Sequence, residues 1–253
     1  MTFNNEALNQ AQEIMWDAWD TPNKRSRISL ARKALKISPD CADAYVLLAL
    51  DAAKSPDEAF ELYKTGMEAG ERAIGKKMFK EEAGYFWGIL ETRPYMRARL
   101  GVANCLRDAG KISEAAGHYK DMLRLNPNDN QGIRELLMPC LIIMGRDKEA
   151  EALYKKYEDD SSAAWAYSRA LIDFRSKGSS PEADKSIVEG LKRNKYIPIY
   201  LLEMRKIPKT MPEYYSPGDV NEAIGYAHFN LGAWKNSPGS LEWLASQFFN
   251  FTR

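Results

Sequence analysis

The sequence predicts an all-α fold, a right-handed α-solenoid of stacked helical hairpins that ends in a helical C-terminal cap outside the repeat. Three observations lead to this prediction. The stretch GKISEAAGHYKDMLRL from Gly110 has a weaker copy, GRDKEAEALYKKYEDD, that starts 35 residues later at Gly145. Apolar residues in both stretches recur at helical spacing. Stretches rich in proline and asparagine, such as NPND, follow the helices and end them.

The clearest hairpin joins two helices at Gly110. In its second helix Ala115, Tyr119 and Met122 lie on one face, because they are four and three residues apart. The stretch MRARLGVANCLRDA supplies the first helix. In the weaker copy, Ala150 and Tyr154 take the places of Ala115 and Tyr119. We expect the glycine to close the turn and the tyrosine to fill the space between the helices.

Further, weaker copies lie N-terminal and C-terminal to this hairpin. Ile28–Asp40 is predicted as a second helix, and Asp43–Met67 as a hairpin with Pro56 in place of the glycine. The period is lost between residues 70 and 95, which we interpret as an irregular insertion. Ser162–Phe174 then opens a fifth unit, whose loop RSKGSSP is long.

A period of about 34 residues with this small-and-aromatic spacing is typical of tetratricopeptide repeats, so the chain resembles that family. We expect one helical-repeat domain over residues 1–253. Its predicted parts are N-terminal repeats at 5–69, the insertion at 70–95, three repeats at 96–195 and a helical tail at 196–253.

The tail has motifs of its own, PIYLLEMRKIP and GDVNEAIGYAHFNLGAWKNSPGSLEWL. They resemble the C-terminal half of the suppressor-of-tumorigenicity-seven family, and the resemblance continues more loosely back to about Tyr95. It implies a helical-repeat interaction or regulatory factor without known catalytic residues. Animal members carry transmembrane segments ahead of this region, and we expect none in this chain, so we do not transfer a membrane location.

Composition narrows the functional classes. Hydrophobic residues make up 45% and charged residues 28% of the chain, as in a soluble folded protein. The formal net charge of +1 argues against binding to nucleic acid, which needs a basic excess. The N-terminus lacks the pattern of a signal peptide, and the run LLMPCLIIMG is too short to span a membrane. We therefore expect a cytoplasmic protein, because Cys41, Cys105 and Cys140 cannot all pair and a reduced compartment fits them. Cys105 and Cys140 are predicted to be buried packing residues.

The usual catalytic motifs are missing from the sequence. The stretch CLIIMGR has the cysteine-to-arginine spacing of cysteine phosphatases, but its apolar residues favour the end of a helix. His118 has no predicted ligand role. We expect no enzyme activity, no cofactor and no metal site.

The leading hypothesis is a scaffold that binds a protein or peptide in the concave groove lined by the first helices of the hairpins, or at the aromatic tail. The first helices of tetratricopeptide folds line such a groove. Counting from the turn glycines, the predicted groove residues are Arg97, Asn104, Arg107, Glu135, Tyr167 and Asp173.

Two alternatives remain open. The first is an enzyme or small-ligand receptor with a site where the tail meets the solenoid. Its candidate residues in the tail are Asp219, Asn221, Glu222 and His228. The second is a self-association module, forming a homodimer through exposed aromatic residues of the tail.

Overall fold

A computed structural model of the chain describes residues 5–252. These residues form thirteen α-helices and no β-strand, which confirms the all-α prediction. Residues 1–4 and 253, which the predicted domain bounds include, lie outside the described part of the chain. The chain divides into two compact units, Met1–Ile133 and Arg134–Arg253. The boundary falls inside the stretch that the sequence predicts as three repeats.

The first unit, as described from residue 5, holds six helices and two 3₁₀ turns. They are α1 (Glu6–Asp20), α2 (Lys24–Ile37), α3 (Ala42–Asp51), α4 (Pro56–Glu81), the turns Phe86–Gly88 and Leu90–Thr92, α5 (Arg93–Asp108) and α6 (Ile112–Leu125). Polar side chains start three of these helices by accepting a hydrogen bond from a backbone N–H of the first turn. These caps are Asn5, Asn23 and Ser55.

Each helix of the first unit packs against the next one along the chain, and α3 also contacts both α1 and α5. The first helices of three successive hairpins therefore lie side by side. Small residues make this close packing feasible, since the core of α1 to α3 contains Ala11, Ala18, Ala31 and Ala34 with no exposed surface.

The predicted insertion belongs to the first unit. Helix α4 continues through it as far as Glu81, with a break at Gly75, whose φ is 74°. The two 3₁₀ turns then lead directly into α5. The segment is α-helical for about half its length.

The second unit holds the remaining helices of the described chain. They are α7 (Ile133–Ile143), which begins at the boundary, then α8 (Asp147–Lys156), α9 (Ala163–Lys177), α10 (Pro181–Arg193), α11 (Ile197–Leu201), α12 (Val220–Lys235) and α13 (Ser240–Phe251). Gly110 and Gly145 separate the two helices of their respective hairpins, with φ of 77° and 68°. Glycine adopts this left-handed conformation without strain, which confirms the predicted turns.

The core of the second unit is aromatic. Tyr167 packs on Tyr226, with 5.5 Å between ring centroids, and Trp234 lies almost parallel to Trp243 at 6.4 Å. These contacts join α9 to the tail helices α12 and α13. Five aromatic residues of the tail belong to this core: Tyr200, Tyr226, Trp234, Trp243 and Phe248. Tyr214 and Tyr215 are exposed in the long loop between α11 and α12, and Phe249 and Phe251 are exposed on α13.

The three cysteines are free thiols. Cys41 and Cys140 are buried, and Cys105 is half-buried. Burial raises the pKa of Cys41 to about 12, so this thiol stays protonated at neutral pH. Cys140 is therefore buried as predicted, whereas Cys105 is only partly so.

Candidate protein-binding groove

An open groove of about 740 Å³ lies in the first unit between α1, the start of α3, α4 and the start of α5. We call it the first-unit groove. Its sides are α1 and the segment that leads into α5, and its base is formed where these helices meet α3 and α4. Groove walls of this kind, made largely of apolar side chains with a few polar groups, are typical of ligand sites.

Helix α1 gives the groove its aromatic wall. The helix buries Leu8, Ala11 and Met15 at helical spacing, which turns Trp16 and Trp19 out of the core. Trp16 is 58% exposed and Trp19 is 38% exposed. Tryptophan side chains seldom remain this accessible in a soluble protein, because burying one removes a large apolar area from water.

The base of the groove contains a buried carboxylate. Asp43 of α3 has no exposed surface. Arg97 of α5 binds it through two hydrogen bonds from one edge of the guanidinium, from Nε to Oδ1 at 2.8 Å and from Nη2 to Oδ2 at 2.6 Å. Gln12 of α1 donates a third hydrogen bond, from Nε2 to Oδ2 at 2.8 Å. One carboxylate thus ties three helices together.

The opposite wall precedes and begins α5. Leu90 is 62% exposed there, and Glu91 follows it. Arg93 donates from Nε to the Trp87 carbonyl at 2.9 Å, and its guanidinium lies 5.3 Å from the centre of the Trp87 ring. Exposed apolar groups therefore stand on both sides of the groove.

A buried phenol lies behind this wall. Tyr95 lines the groove, but its side chain is almost entirely covered. Burial raises the pKa of Tyr95 to about 12, although the nearby Arg99 guanidinium acts in the opposite direction. The phenol is neutral at physiological pH, so Tyr95 contributes packing and not charge.

Of the predicted groove residues on α5, Arg97 lines the first-unit groove. Asn104 and Arg107 lie farther along the helix. The Tyr119 hydroxyl donates to Asn104 Oδ1 at 2.7 Å, and Arg107 is mostly buried beside them, with Nε 2.9 Å from Asp108. These two side chains bind their neighbours in the hairpin.

The other predicted groove residues belong to the second unit. Tyr167 is a core residue and not a groove residue, because its ring is fully buried and its hydroxyl donates to the Asn194 carbonyl at 2.8 Å. Asp173 is nearly buried on α9. Burial alone would raise its pKa, but hydrogen bonds from Arg169 and Ser186 outweigh that and lower the pKa. Glu135 is half-buried. Partial burial of Tyr215, together with the nearby negative charge of Glu135, raises the pKa of Tyr215.

Three of the four tail candidates, Asp219, Asn221 and Glu222, lie at the start of α12. Asp219 caps α12 by accepting from the Glu222 N–H at 2.7 Å, and this bond and one from the Ser216 N–H lower its pKa. Glu222 in turn accepts from the Gly218 N–H at 2.7 Å. This is a variant of the capping box in which the glutamate binds the N–H of the residue before the cap. Asn221 donates to the Tyr214 carbonyl at 3.0 Å, and His228 is exposed on α12 against Phe229.

Asn194, at the end of α10, fixes this helix start in place. Its buried side chain donates from Nδ2 to the Asp219 carbonyl and to Glu222 Oε2, both at 2.8 Å, and accepts from the Tyr196 N–H at 2.9 Å. We expect Asn194→Ala to lower the free energy of unfolding by about 2 kcal/mol, because buried polar partners lose their hydrogen bonds. Asn221→Ala, at an exposed site with one hydrogen bond, should cost less than about 0.5 kcal/mol.

Urea denaturation of both variants, followed by circular dichroism, measures this difference. Amide hydrogen exchange should also rise at the start of α12 in Asn194→Ala and stay unchanged in Asn221→Ala. Equal stability of the two variants would contradict a structural role for Asn194.

The sequence patterns missed most of the first-unit groove. Trp16, Trp19, Leu90 and Asp43 were not among the predicted groove residues, because the offsets were counted from the turn glycines of later hairpins. The signal was nevertheless present for α1. Its apolar stripe accounts for Leu8 to Ala18 and leaves both tryptophans outside.

Residues 5–252 contain neither a membrane-spanning helix nor a cluster of metal ligands. In that range, no helix is both long enough and apolar enough to cross a membrane. Across the same residues, no three His, Cys, Asp or Glu side chains are grouped in a way that could hold a metal ion.

Comparison with known proteins extends the resemblance seen in the tail. The family model described as ST7 protein matches residues 1–252. The Protein ST7 homolog of Drosophila melanogaster is 32% identical over 268 residues, covering 96% of this chain and 49% of that protein. The human Suppressor of tumorigenicity 7 protein-like is 32% identical over 267 residues, covering 96% and 46%. The match therefore starts far upstream of Tyr95, and the chain spans about half the length of these curated relatives.

Proposed function

Because the chain belongs to the ST7 protein family, we propose that this part of the family's sequence is a non-enzymatic scaffold that binds a peptide segment of another protein in the first-unit groove. One observation carries the proposal. Trp16, Trp19 and Leu90 are exposed around a single open groove of about 740 Å³. Large exposed apolar side chains gathered in a concavity mark interaction sites.

We also propose that the helical hairpins are of the tetratricopeptide type and stack as a solenoid. The support is local. Turn glycines with positive φ join the hairpin helices at Gly110 and Gly145. Tyr119 is buried as the repeat pattern expects. The side-by-side placement of α1, α3 and α5 is the arrangement by which such repeats offer the faces of their first helices to a ligand.

A binding role is favoured over the enzyme alternative by what the candidate residues do. Asp219 and Glu222 use their carboxylates to cap α12, and Asn194 holds Glu222 from the other side. These groups are engaged in stabilising the fold. The cytoplasmic location and self-association through Tyr214 and Tyr215 stay predictions.

The test is selection of peptides from a random library displayed on phage, with the full chain as bait. We expect enriched peptides that bind with micromolar dissociation constants. Replacing both tryptophans in Trp16→Ala/Trp19→Ala should weaken their binding about tenfold or more, because exposed aromatics that become buried on binding dominate interface energies. Fluorescence anisotropy with labelled peptides measures the affinities.

The matched control is Tyr85→Ala, which removes an exposed aromatic of the same unit that does not line the groove. It should change affinity by no more than about twofold. Circular dichroism must show that both variants keep their helices. The proposal is contradicted if no peptide is enriched, or if the enriched peptides bind the double tryptophan variant as tightly as the unaltered chain.

A further inference from the structure

We propose that the first-unit groove selects a basic segment, one in which lysine or arginine side chains alternate with apolar ones. This inference rests on the proposed function, since it names the chemical class of the peptide that the groove would bind. It follows from the charges around the groove and from which of them are already neutralised.

All charged residues of helix α1, which forms the aromatic wall, are acidic. Its charged residues are Glu6, Glu13, Asp17 and Asp20, and it contains no lysine or arginine. Glu13 faces the groove beside Trp16. A helix with exposed tryptophans and only negative charges attracts a segment that combines apolar with positive side chains. The whole chain carries a net charge of +1, so this attraction belongs to the groove and not to the protein in general.

The charged residues that line the groove are four carboxylates and two guanidiniums. Arg97 is paired with Asp43 through Nε and Nη2. Asp40 is neutralised by Arg72, at 2.9 Å. Within residues 5–252, Glu13 and Glu91 have no salt bridge, and they stand on opposite walls. Arg93 has no salt bridge in that range either, so the groove presents two carboxylates and one guanidinium without a charged partner, which is an excess of negative charge.

The two guanidiniums are poorly placed to receive an acidic peptide. The charge of Arg97 is already neutralised by Asp43 at the base of the groove. Arg93 is held against the Trp87 ring and carbonyl. A ligand carboxylate would therefore gain little from either guanidinium and would also meet the repulsion of Glu13 and Glu91. Negative charge is thus disfavoured in the groove.

The tryptophans add to the preference for cations. The negative face of an exposed indole ring attracts an ammonium or guanidinium group within about 6 Å. Trp16 stands one helical turn from Glu13 on α1, so a single cationic side chain can meet both an indole ring and a carboxylate. The apolar residues of the segment would pack on Trp19 and on Leu90 across the groove.

The experiment uses the full chain and two designed peptides of about 14 residues, or four helical turns. One is an amphipathic peptide of lysine and leucine, and in the other every lysine is replaced by glutamate. Calorimetric titration should show the lysine peptide binding at least about tenfold more tightly at low salt. Raising the ionic strength to about 0.15 M should reduce the difference in affinity between the two peptides, because exposed charges are screened.

A pair of variants locates the attraction. Glu13→Gln/Glu91→Gln should weaken binding of the lysine peptide about fivefold, as expected for two exposed ion pairs. Glu61→Gln removes an exposed carboxylate of α4 that does not line the groove, and it should leave the affinity unchanged. If both variants bind the lysine peptide equally, the attraction lies elsewhere and the inference is overturned.

The remaining outcomes separate this inference from the proposed function. If the phage library yields groove-binding peptides that are neutral or acidic, the groove binds peptides but the basic preference is wrong. If neither the library nor the lysine peptide binds, both proposals are overturned. A dimer in sedimentation that Trp16→Ala/Trp19→Ala converts to a monomer would show a second copy as the occupant of the groove, which also overturns the inference.

Discussion

Replacing Arg97 by alanine should lower the free energy of unfolding by about 3 kcal/mol. The change removes the guanidinium that binds Asp43 and leaves a carboxylate with no exposed surface paired only with Gln12. An uncompensated buried charge is among the most costly defects a fold can carry. Urea denaturation of the full chain measures the loss. Amide hydrogen exchange should increase most in α1, α3 and α5, the helices that this carboxylate joins.

The controls distinguish a buried ion pair from an exposed one. Arg72→Ala removes a more exposed arginine–aspartate contact of the same unit and should cost less than about 1 kcal/mol. Arg97→Lys keeps the charge but loses the two-armed geometry, so an intermediate cost is expected. Combining Arg97→Met with Asp43→Leu should restore part of the stability lost in Arg97→Ala, because no charge then remains buried. If Arg97→Ala is no worse than Arg72→Ala, the network does not stabilise the fold.

The helices and their turns were predictable because their signals are local. Gly110 and Gly145 follow an apolar helical stripe directly and adopt the positive φ that only glycine accepts easily. Pro56 stands at the first position of α4, where its missing N–H costs nothing. In each case the residues that determine the structure lie within a few positions of each other.

The base of the groove was not predictable in this way. Asp43 and Arg97 are 54 residues apart, and nothing near either residue indicates the other. Asp43 stands in ADAYVLLALD, a helix whose local pattern predicts only burial. Arg97 was assigned to the groove from its offset to Gly110, which gives the face of the helix but not the partner on that face. Only tertiary packing brings the two charges together.

Tyr167 is predicted as a groove residue from the repeat spacing, but it is buried in the core. Its offset within the hairpin places it on a face that would be open in a regular repeat. In the second unit the tail helix α12 covers that face, and Tyr226 packs on the Tyr167 ring. The tail lies outside the repeat pattern, so the residue spacing within the repeat does not indicate that α12 covers Tyr167.

Gly101→Ala and Gly117→Ala should change stability in opposite directions and differ by about 3 kcal/mol in the free energy of unfolding. Both glycines lie inside helices, Gly101 in α5 and Gly117 in α6. A Cβ at position 101 would lie 2.2 Å from Cδ1 of Tyr63, far inside van der Waals contact. A Cβ at position 117 would meet nothing within 4 Å.

The same chemical change therefore isolates packing from helix propensity. At position 117 alanine only reduces the freedom of the unfolded chain, which stabilises the protein by about 0.5–1 kcal/mol. At position 101 that gain is outweighed, because Tyr63 of α4 must leave its place between the helices. Thermal and urea denaturation of the two variants measure the difference. In a Tyr63→Ala background the clash is gone, so adding Gly101→Ala should become neutral or stabilising. A Gly101→Ala variant as stable as Gly117→Ala in the unaltered chain would mean that α4 and α5 are not packed as closely as this contact requires.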